Sequence, residues 1–188
     1  MDARERWNAR YAARSSLEAA EPNPFLREHL ALLPRGHVLE LAMGEGNNAI
    51  FLAQQGFSVT GIDISEIAVA RALRLARRAG VSLEACVIDL RTATLPPEAY
   101  DVVICFYYLQ RDLFPHIVRT LKPGGAVVYE TFTKEQASYG HPTNLAYLLE
   151  PNELLAAFKT LRIRVYQDLI VAGPKAVARV IGEKNRSA

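Results

Sequence analysis

Short apolar runs alternate along this chain with longer amphipathic stretches, a pattern that predicts strands joined through helices into a doubly wound α/β sheet. Helices are expected at 2–13 and 23–33, a strand at 37–42, a helix at 47–55 stopped by Gly56, and a strand at 58–62. Ser65 should cap a helix that runs to Ala79, with Gly80 as its stop. Strands at 83–88 and 101–107 flank a loop that carries Pro96-Pro97. A helix at 111–121 should end at Lys122-Pro123-Gly124-Gly125 and feed a strand at 126–131. Residues 134–150 lack periodicity and contain Gly140 and Pro142, so they read as a long loop over a pocket. Pro151-Asn152 open a short helix to Lys159, and strands at 162–171 and 175–182 follow as an antiparallel edge pair. No repeat or low-complexity tract is evident, and the chain looks frayed from Lys184 onward.

Within this pattern, the stretch from Val38 to Asp63 carries the candidate chemistry. It holds an apolar strand with the acid Glu40, a turn bearing Gly44 and Gly46, a short helix, and a second apolar strand ending at Asp63. The glycines permit a tight turn and close approach of a ligand, and the helix behind them offers unpaired N–H groups. Asp63 is placed to accept from a ribose diol, so the pocket reads as nucleoside-shaped. A dinucleotide fingerprint would need a third glycine at the helix start, but the turn reads Ala42-Met43-Gly44-Glu45-Gly46-Asn47-Asn48. Glu45 should also repel a pyrophosphate, and Glu40 suits a cationic amino-acid group better than a phosphate. These features favour S-adenosylmethionine, whose ammonium and sulfonium are positive, over a nicotinamide dinucleotide.

Five stretches carry a resemblance to a known family: VLELAMGEGNNA, VTGIDIS, VIDL, YDVVICFYYL, and LKPGG ahead of AVVYETF. Residues 37–133 resemble the core of a class I S-adenosylmethionine-dependent methyltransferase, and the whole chain is similar to its small tellurite-resistance/thiopurine-type subgroup. The resemblance implies an α/β, Rossmann-like, seven-stranded and mostly parallel sheet with helices on both faces and an antiparallel C-terminal edge pair. It also implies S-adenosylmethionine as methyl donor and S-adenosylhomocysteine as product. Glu40, Ala42, Gly44 and Gly46 would surround the methionine part, Asp63 would take the ribose hydroxyls, Asp89 with Leu90 would face the adenine, and Met43, Asn48, Ile64 and Phe106 would also contact the donor. Trp7 and Tyr11 lie one helical turn apart on one face, which would either pack this helix onto the domain or, as the resemblance implies, lid the donor like the subgroup's W-x-x-x-Y segment. Ala42 stands where many members have glycine, which is tolerated if that residue keeps a negative φ.

Composition narrows the classes further. At 188 residues and 50% hydrophobic, the chain suits one compact domain, with residues 1–33 as a helical lid and 134–150 as a substrate loop. Lys+Arg 22 against Asp+Glu 20 leaves a net charge of +2, which does not call for a polyanionic partner such as nucleic acid. Arg71, Arg74, Arg77 and Arg78 read as the solvated side of an amphipathic helix opposite Val69, Leu73 and Ala76. Cys86 and Cys105 sit in apolar runs and read as buried, reduced thiols of a cytoplasmic protein. No membrane span, signal-peptide core or metal-ligand spacing appears, and a monomer or weak homodimer acting on a small molecule is expected.

Methyl transfer from a sulfonium is an in-line displacement that depends chiefly on positioning. An oxygen or nitrogen acceptor also needs a base, whereas a thiolate, selenide or reduced metalloid oxyanion has a lone pair ready. Candidate groups are Tyr107, Tyr108 and Arg111 after the fourth strand, Glu130, Thr131 and Thr133 after the fifth, and Tyr139 and His141 in the long loop. Phe106-Tyr107-Tyr108-Leu109 lacks the Asn/Asp-Pro-Pro-Tyr turn of enzymes that methylate base amines. The expected activity is methyl transfer to a small soft nucleophile, a thiol or a tellurium, selenium or arsenic species. The alternatives are an O- or N-methyltransferase using Glu130 or His141 as base, a donor-binding module without catalysis, and a nicotinamide oxidoreductase.

Overall fold

The computed structural model describes residues 2–186. Two compact units divide the chain, Met1–Thr94 and Leu95–Ala188. Seven strands, mostly parallel and ending in an antiparallel pair, place the chain in the expected Rossmann-like α/β class.

The first unit holds β1 (His37–Leu41), β2 (Ser58–Asp63) and β3 (Glu84–Val87), all parallel, in the order β3-β2-β1. Its helices are α1 (Ala3–Ala12), α2 (Pro24–Glu28), α3 (Asn47–Gln54) and α4 (Glu66–Arg78). The expected 23–33 helix is α2 followed by a separate 3-10 turn at Leu30–Leu32. Asp2 and Glu5 form a capping box at the start of α1, satisfying backbone donors that the first turn leaves open. Ser65 caps α4 as its position predicts, its hydroxyl accepting from the Ala68 N–H at 3.1 Å, an interaction worth about 1 kcal/mol. Ala68, Val69, Ala72, Leu75 and Ala76 form the buried face of α4.

Two surface expectations are corrected here. Arg71 is buried on α4, whereas Arg74, Arg77 and Arg78 are exposed as a solvated face requires. Cys86 is exposed, because β3 is an edge strand with one flank open, while Cys105 is buried as expected. An apolar run one strand in from the edge and one at the edge look alike in sequence.

The second unit holds β4 (Tyr100–Phe106), β5 (Leu121–Phe132), β6 (Arg162–Val171) and β7 (Lys175–Glu183) in the order β4-β5-β7-β6. β4 and β5 are parallel, and β7 runs antiparallel to both β5 and β6. β7 is therefore inserted inside the sheet, and β6 alone of the C-terminal pair forms the edge. Helices α5 (Leu113–Thr120) and α6 (Glu153–Ala157) complete the unit. Phe114, Tyr129 and Phe158 pack ring to ring with centroids 5.4–5.9 Å apart and anchor the core around α5.

The segment Lys122-Pro123-Gly124-Gly125 does more than stop a helix. Pairing with β4 jumps from Leu121 opposite Tyr100 to Ala126 opposite Val102, so these four residues bulge out of the ladder. Gly124, at φ +79°, donates to the Lys184 carbonyl at 2.9 Å, and the Lys184 N–H donates to the Gly125 carbonyl at 2.8 Å. Lys184 is thus tied in rather than frayed; Ser187 and Ala188, also expected to fray, lie outside the described residues. A Cβ on Gly125 would stand 2.9–3.2 Å from the carbonyl oxygens of Lys122, Asp101 and Tyr100. Because these are backbone atoms, Gly125→Ala should lower the melting temperature by about 5 °C or more, readable by circular dichroism.

Residues 133–150 are an ordered loop with 3-10 turns at Lys134–Ser138 and Leu145–Tyr147, and the His141–Pro142 peptide is cis. The buried Gln136 fastens it, accepting from the Ala176 N–H at 2.9 Å and donating to the His141 carbonyl at 3.2 Å. Among the described residues no helix is long and apolar enough to cross a membrane.

Candidate functional site

In the first unit, β1 and β2 run side by side with Leu41 opposite Ile62, and both chains turn at their carboxyl ends. Open α/β sheets bind ligands at this edge, where the strand-to-helix loops gather. The turn after β1 is left-handed at three positions, Ala42 (φ +52°), Gly44 (φ +58°) and Gly46 (φ +75°). Ala42 therefore does not keep the negative φ expected of it, and its Cβ is held in a conformation that costs about 1 kcal/mol or more. Hydrogen bonds hold the turn there: the Met43 N–H donates to the Ile62 carbonyl and the Gly46 N–H to the Met43 carbonyl, each at 3.0 Å. Met43 is buried over Gly61, where a Cβ would collide with its sulfur.

Asp63 is the clasp of this edge. Its Oδ2 accepts from the Gly44 N–H and its Oδ1 from the Ser65 N–H, both at 2.8 Å. Burial raises its carboxyl pKa, and these backbone donors oppose the rise. A carboxylate oxygen has two lone pairs, so each can still accept from a ribose hydroxyl.

Glu40 is fully enclosed, 2% exposed. Its Oε1 accepts from Asn48 Nδ2 at 2.9 Å, while Oε2 has no hydrogen-bond partner among the described residues. Burial pushes its pKa to about 8, against the pull of Asn48 and a backbone bond from Ala49. A buried, orphaned carboxylate oxygen fits the ammonium of an amino-acid ligand, which would supply the missing partner. It does not fit a phosphate.

Glu45 behaves differently from its expected role. It is buried, with one oxygen paired to Arg14 and the other to Arg71. Its charge is compensated within the fold, so the expected repulsion of a pyrophosphate by Glu45 does not hold, and the electrostatic preference for a cation rests on Glu40 alone.

α1 brings Trp7 and Tyr11 together, their rings stacked with centroids 5.9 Å apart. The Tyr11 hydroxyl lies where a Cβ on Gly44 would come within 2.7 Å, and burial, then the nearby Asp63 charge, pushes its pKa up to about 12. Asn8 fixes α1 to α4 through the Ser65 hydroxyl and Glu66. Ile64, half-buried, follows Asp63 directly. Asp89 and the buried Leu90 lie in the loop after β3, with the Asp89 carboxylate gripped by Arg91 at 2.7–3.1 Å; those hydrogen bonds hold its pKa down.

The remaining candidates all fall in the second unit. Phe106 ends β4 opposite Glu130. Tyr107 follows at φ +57°, an uncommon conformation for an aromatic residue, fixed by its N–H donating to the Glu130 carbonyl at 2.8 Å. Its exposed ring packs on Phe132, and the Lys175 ammonium lies 5.2 Å from the ring centroid. Glu130 is buried with its Oε2 3.5 Å from Arg179, which also donates to Gln167 at 2.6 Å. Arg111 forks onto Glu153 at 2.7 and 3.0 Å and donates to the carbonyls of Ala146 and Leu148, so its guanidinium is engaged in holding the 133–150 loop. His141 and Tyr139 are exposed on that loop. The sequence did not point to Arg14, Arg71, Arg179 or Lys175, because a basic residue on a helix or strand looks the same whether it meets water or a buried acid far along the chain.

With this geometry in view, the comparisons narrow the class. Residues 38–125 match the family model described as a methyltransferase domain. Hemagglutinin 1 of Eikenella corrodens is 27% identical over 154 residues, 77% of this chain and 50% of that protein. Ubiquinone biosynthesis O-methyltransferase of Pseudomonas fluorescens is 34% identical over 108 residues, 54% of this chain and 47% of that enzyme. The chain thus spans about half the length of the curated relatives it matches. The solved structure of TehB from Haemophilus influenzae superposes with a TM-score of 0.75 at 16% identity, covering 97% of this chain and 67% of that one. Residues 38–125 are thus similar to a methyltransferase domain, and the chain shares its Rossmann-like fold with the TehB structure.

Proposed function

We propose that this chain transfers a methyl group from S-adenosylmethionine to a small-molecule acceptor, by preference a soft nucleophile such as a thiol or a metalloid species. The observation that carries the donor assignment is Glu40 Oε2, a buried acceptor without a partner beside a glycine turn and a second carboxylate. In this reading Glu40 holds the donor's ammonium, and Ala42, Met43, Gly44, Gly46 and Asn48 line its methionine part. Asp63 and Ile64 take the ribose, Asp89, Leu90 and Phe106 the adenine, and Trp7 and Tyr11 cover it. When bound, the donor supplies an electrophilic methyl group on a positively charged sulfur.

The preference for a soft acceptor is supported by the state of the would-be bases. Glu130 is committed to Arg179, and His141 sits on an exposed turn. A thiolate or reduced metalloid oxyanion needs neither. Tyr107, Arg111, Glu130 and His141 remain the proposed acceptor-side residues. Calorimetry with S-adenosylhomocysteine should give micromolar or tighter binding, and no binding would end the proposal. A donor-consumption assay across thiols, selenium and tellurium oxyanions, phenols and amines should then show turnover with the first two groups.

The likeness to an O-methyltransferase favours a second reading, an oxygen acceptor deprotonated by Glu130 or His141. The double variant Glu130→Gln/His141→Asn separates the two. Thiol turnover within about threefold of the parent supports the first reading, whereas a loss of about a hundredfold or more in turnover of an oxygen acceptor supports the second. A protein that binds S-adenosylhomocysteine yet consumes no donor with any acceptor would instead be a binding module.

A further inference from the structure

Residues 13–23 have no helix or strand of their own, yet they are fastened to α3 and α4 throughout. From α4, Arg71 donates to the carbonyls of Arg14 and Ser16, and Arg78 to that of Leu17 at 2.8 Å. From α3, the side-chain carbonyls of Asn47 and Asn48 accept from the Ala20 and Asn23 N–H groups at 3.0 and 2.8 Å. Two of these fastenings run through the acids of the donor turn. Asn48 also donates to Glu40, and Arg71 also pairs with Glu45, whose other oxygen takes Arg14 from the segment itself.

We propose that residues 13–23 are a strap belonging to the donor site, and that Glu45, clamped between Arg14 and Arg71, is the positioning residue that sets how firmly Tyr11 is held over Gly44. The inference rests on the donor site proposed above. Glu45 and Arg71 are both buried, so each needs the other to offset the loss of hydration. Arg71 with its charge balanced directs its remaining N–H groups at Ser16 and Arg14, which fixes the chain immediately after α1 and hence the place of Tyr11. On the other side of the turn, a ligand ammonium on Glu40 Oε2 strengthens the ionised form of the carboxylate that Asn48 bonds. Ligand and strap thus stabilise the same turn, and each should tighten the other by reciprocal coupling.

The test compares the parent protein with Glu45→Gln and Arg14→Gln. S-adenosylhomocysteine affinity is measured by calorimetry, amide hydrogen exchange over residues 13–23 with and without that ligand, and melting temperature without it. In the parent, the ligand should slow exchange across 13–23 at least tenfold. Glu45→Gln should bind at least tenfold more weakly and lose that protection. Arg14→Gln, altered at a half-exposed side chain and so safe for folding, should bind at least fivefold more weakly with a melting temperature near the parent's. If Glu45→Gln does not fold, Arg14→Gln decides alone. Parent-like affinity with parent-like protection in Arg14→Gln overturns the proposal, as does ligand binding to the parent that leaves exchange over 13–23 unchanged. Failure of the parent itself to bind is a separate result, which removes the donor site.

Discussion

Asp63→Ala should weaken S-adenosylhomocysteine binding by more than tenfold and destabilise the protein by about 2–5 kcal/mol, the sum of two buried donors losing a charged acceptor. Both effects come from one side chain. The Gly44 and Ser65 N–H groups each rely on an Asp63 oxygen at 2.8 Å, and alanine leaves both without that acceptor in a buried place. The turn after β1 would lose one of its links to β2, and α4 the residue that fixes its cap. A ribose diol would lose its charged acceptor as well. Calorimetry at a temperature where the variant remains folded measures the first effect, and urea unfolding the second. Retained micromolar affinity would refute the ribose assignment, and unchanged stability would refute the role as clasp.

The second large effect is a pH dependence set by Glu40. Its pKa of about 8 means that in the free protein the carboxyl is mostly protonated at pH 7, whereas a bound ammonium favours the ionised form. Binding therefore releases a proton below pH 8. Affinity for S-adenosylhomocysteine should rise as the pH is raised from 6 to 8 and then level off, with affinity at pH 7 about tenfold below the plateau. Glu40→Gln keeps the acceptor for Asn48 but cannot ionise, so its profile should be flat. Its affinity should match the parent's near pH 6 and fall at least tenfold below it at pH 9. Stability of the free protein runs the other way. Because the folded pKa lies above the unfolded one, the contribution of Glu40 is fully present below about 4.5 and is lost as pH rises through 8. A parent profile without slope, or a slope kept in Glu40→Gln, would sink the assignment of the ammonium to Glu40.

Much of this molecule was legible because its signals are local. The Ser65 cap, the glycines of the turn after β1 and the spacing of Trp7 and Tyr11 each depend on neighbours within a few residues, and each stands where the pattern placed it. The strands were legible for the same reason, since an apolar run bounded by turns marks an extended segment, though not whether that segment lies at a sheet edge. Lys122-Pro123-Gly124-Gly125 was half legible. Its turn residues marked a break, but the bulge it forms is decided by Lys184, far away in sequence.

The partners of charged groups were not legible at all. Arg71 read as one of four solvated arginines, yet it is buried against Glu45, 26 positions away. Glu130 read as a candidate base without a named partner, yet Arg179 on β7 pairs with it across an antiparallel register. Cys86 read as buried, and its place at a sheet edge exposes it. Ala42 was expected to keep a negative φ, and its positive φ goes with the bonds that the turn makes with β2.

By itself the chain determined its alternation of strands and helices, its caps and turns, and a glycine turn between the acid-bearing strands β1 and β2, because periodicity and backbone preference act over short distances. Tertiary structure alone decided which carboxylate stays unpartnered for a ligand. Glu40 and Glu45 lie close together in sequence, and only the arrival of Arg14 and Arg71 pairs both oxygens of Glu45, while Oε2 of Glu40 has no hydrogen-bond partner among the described residues.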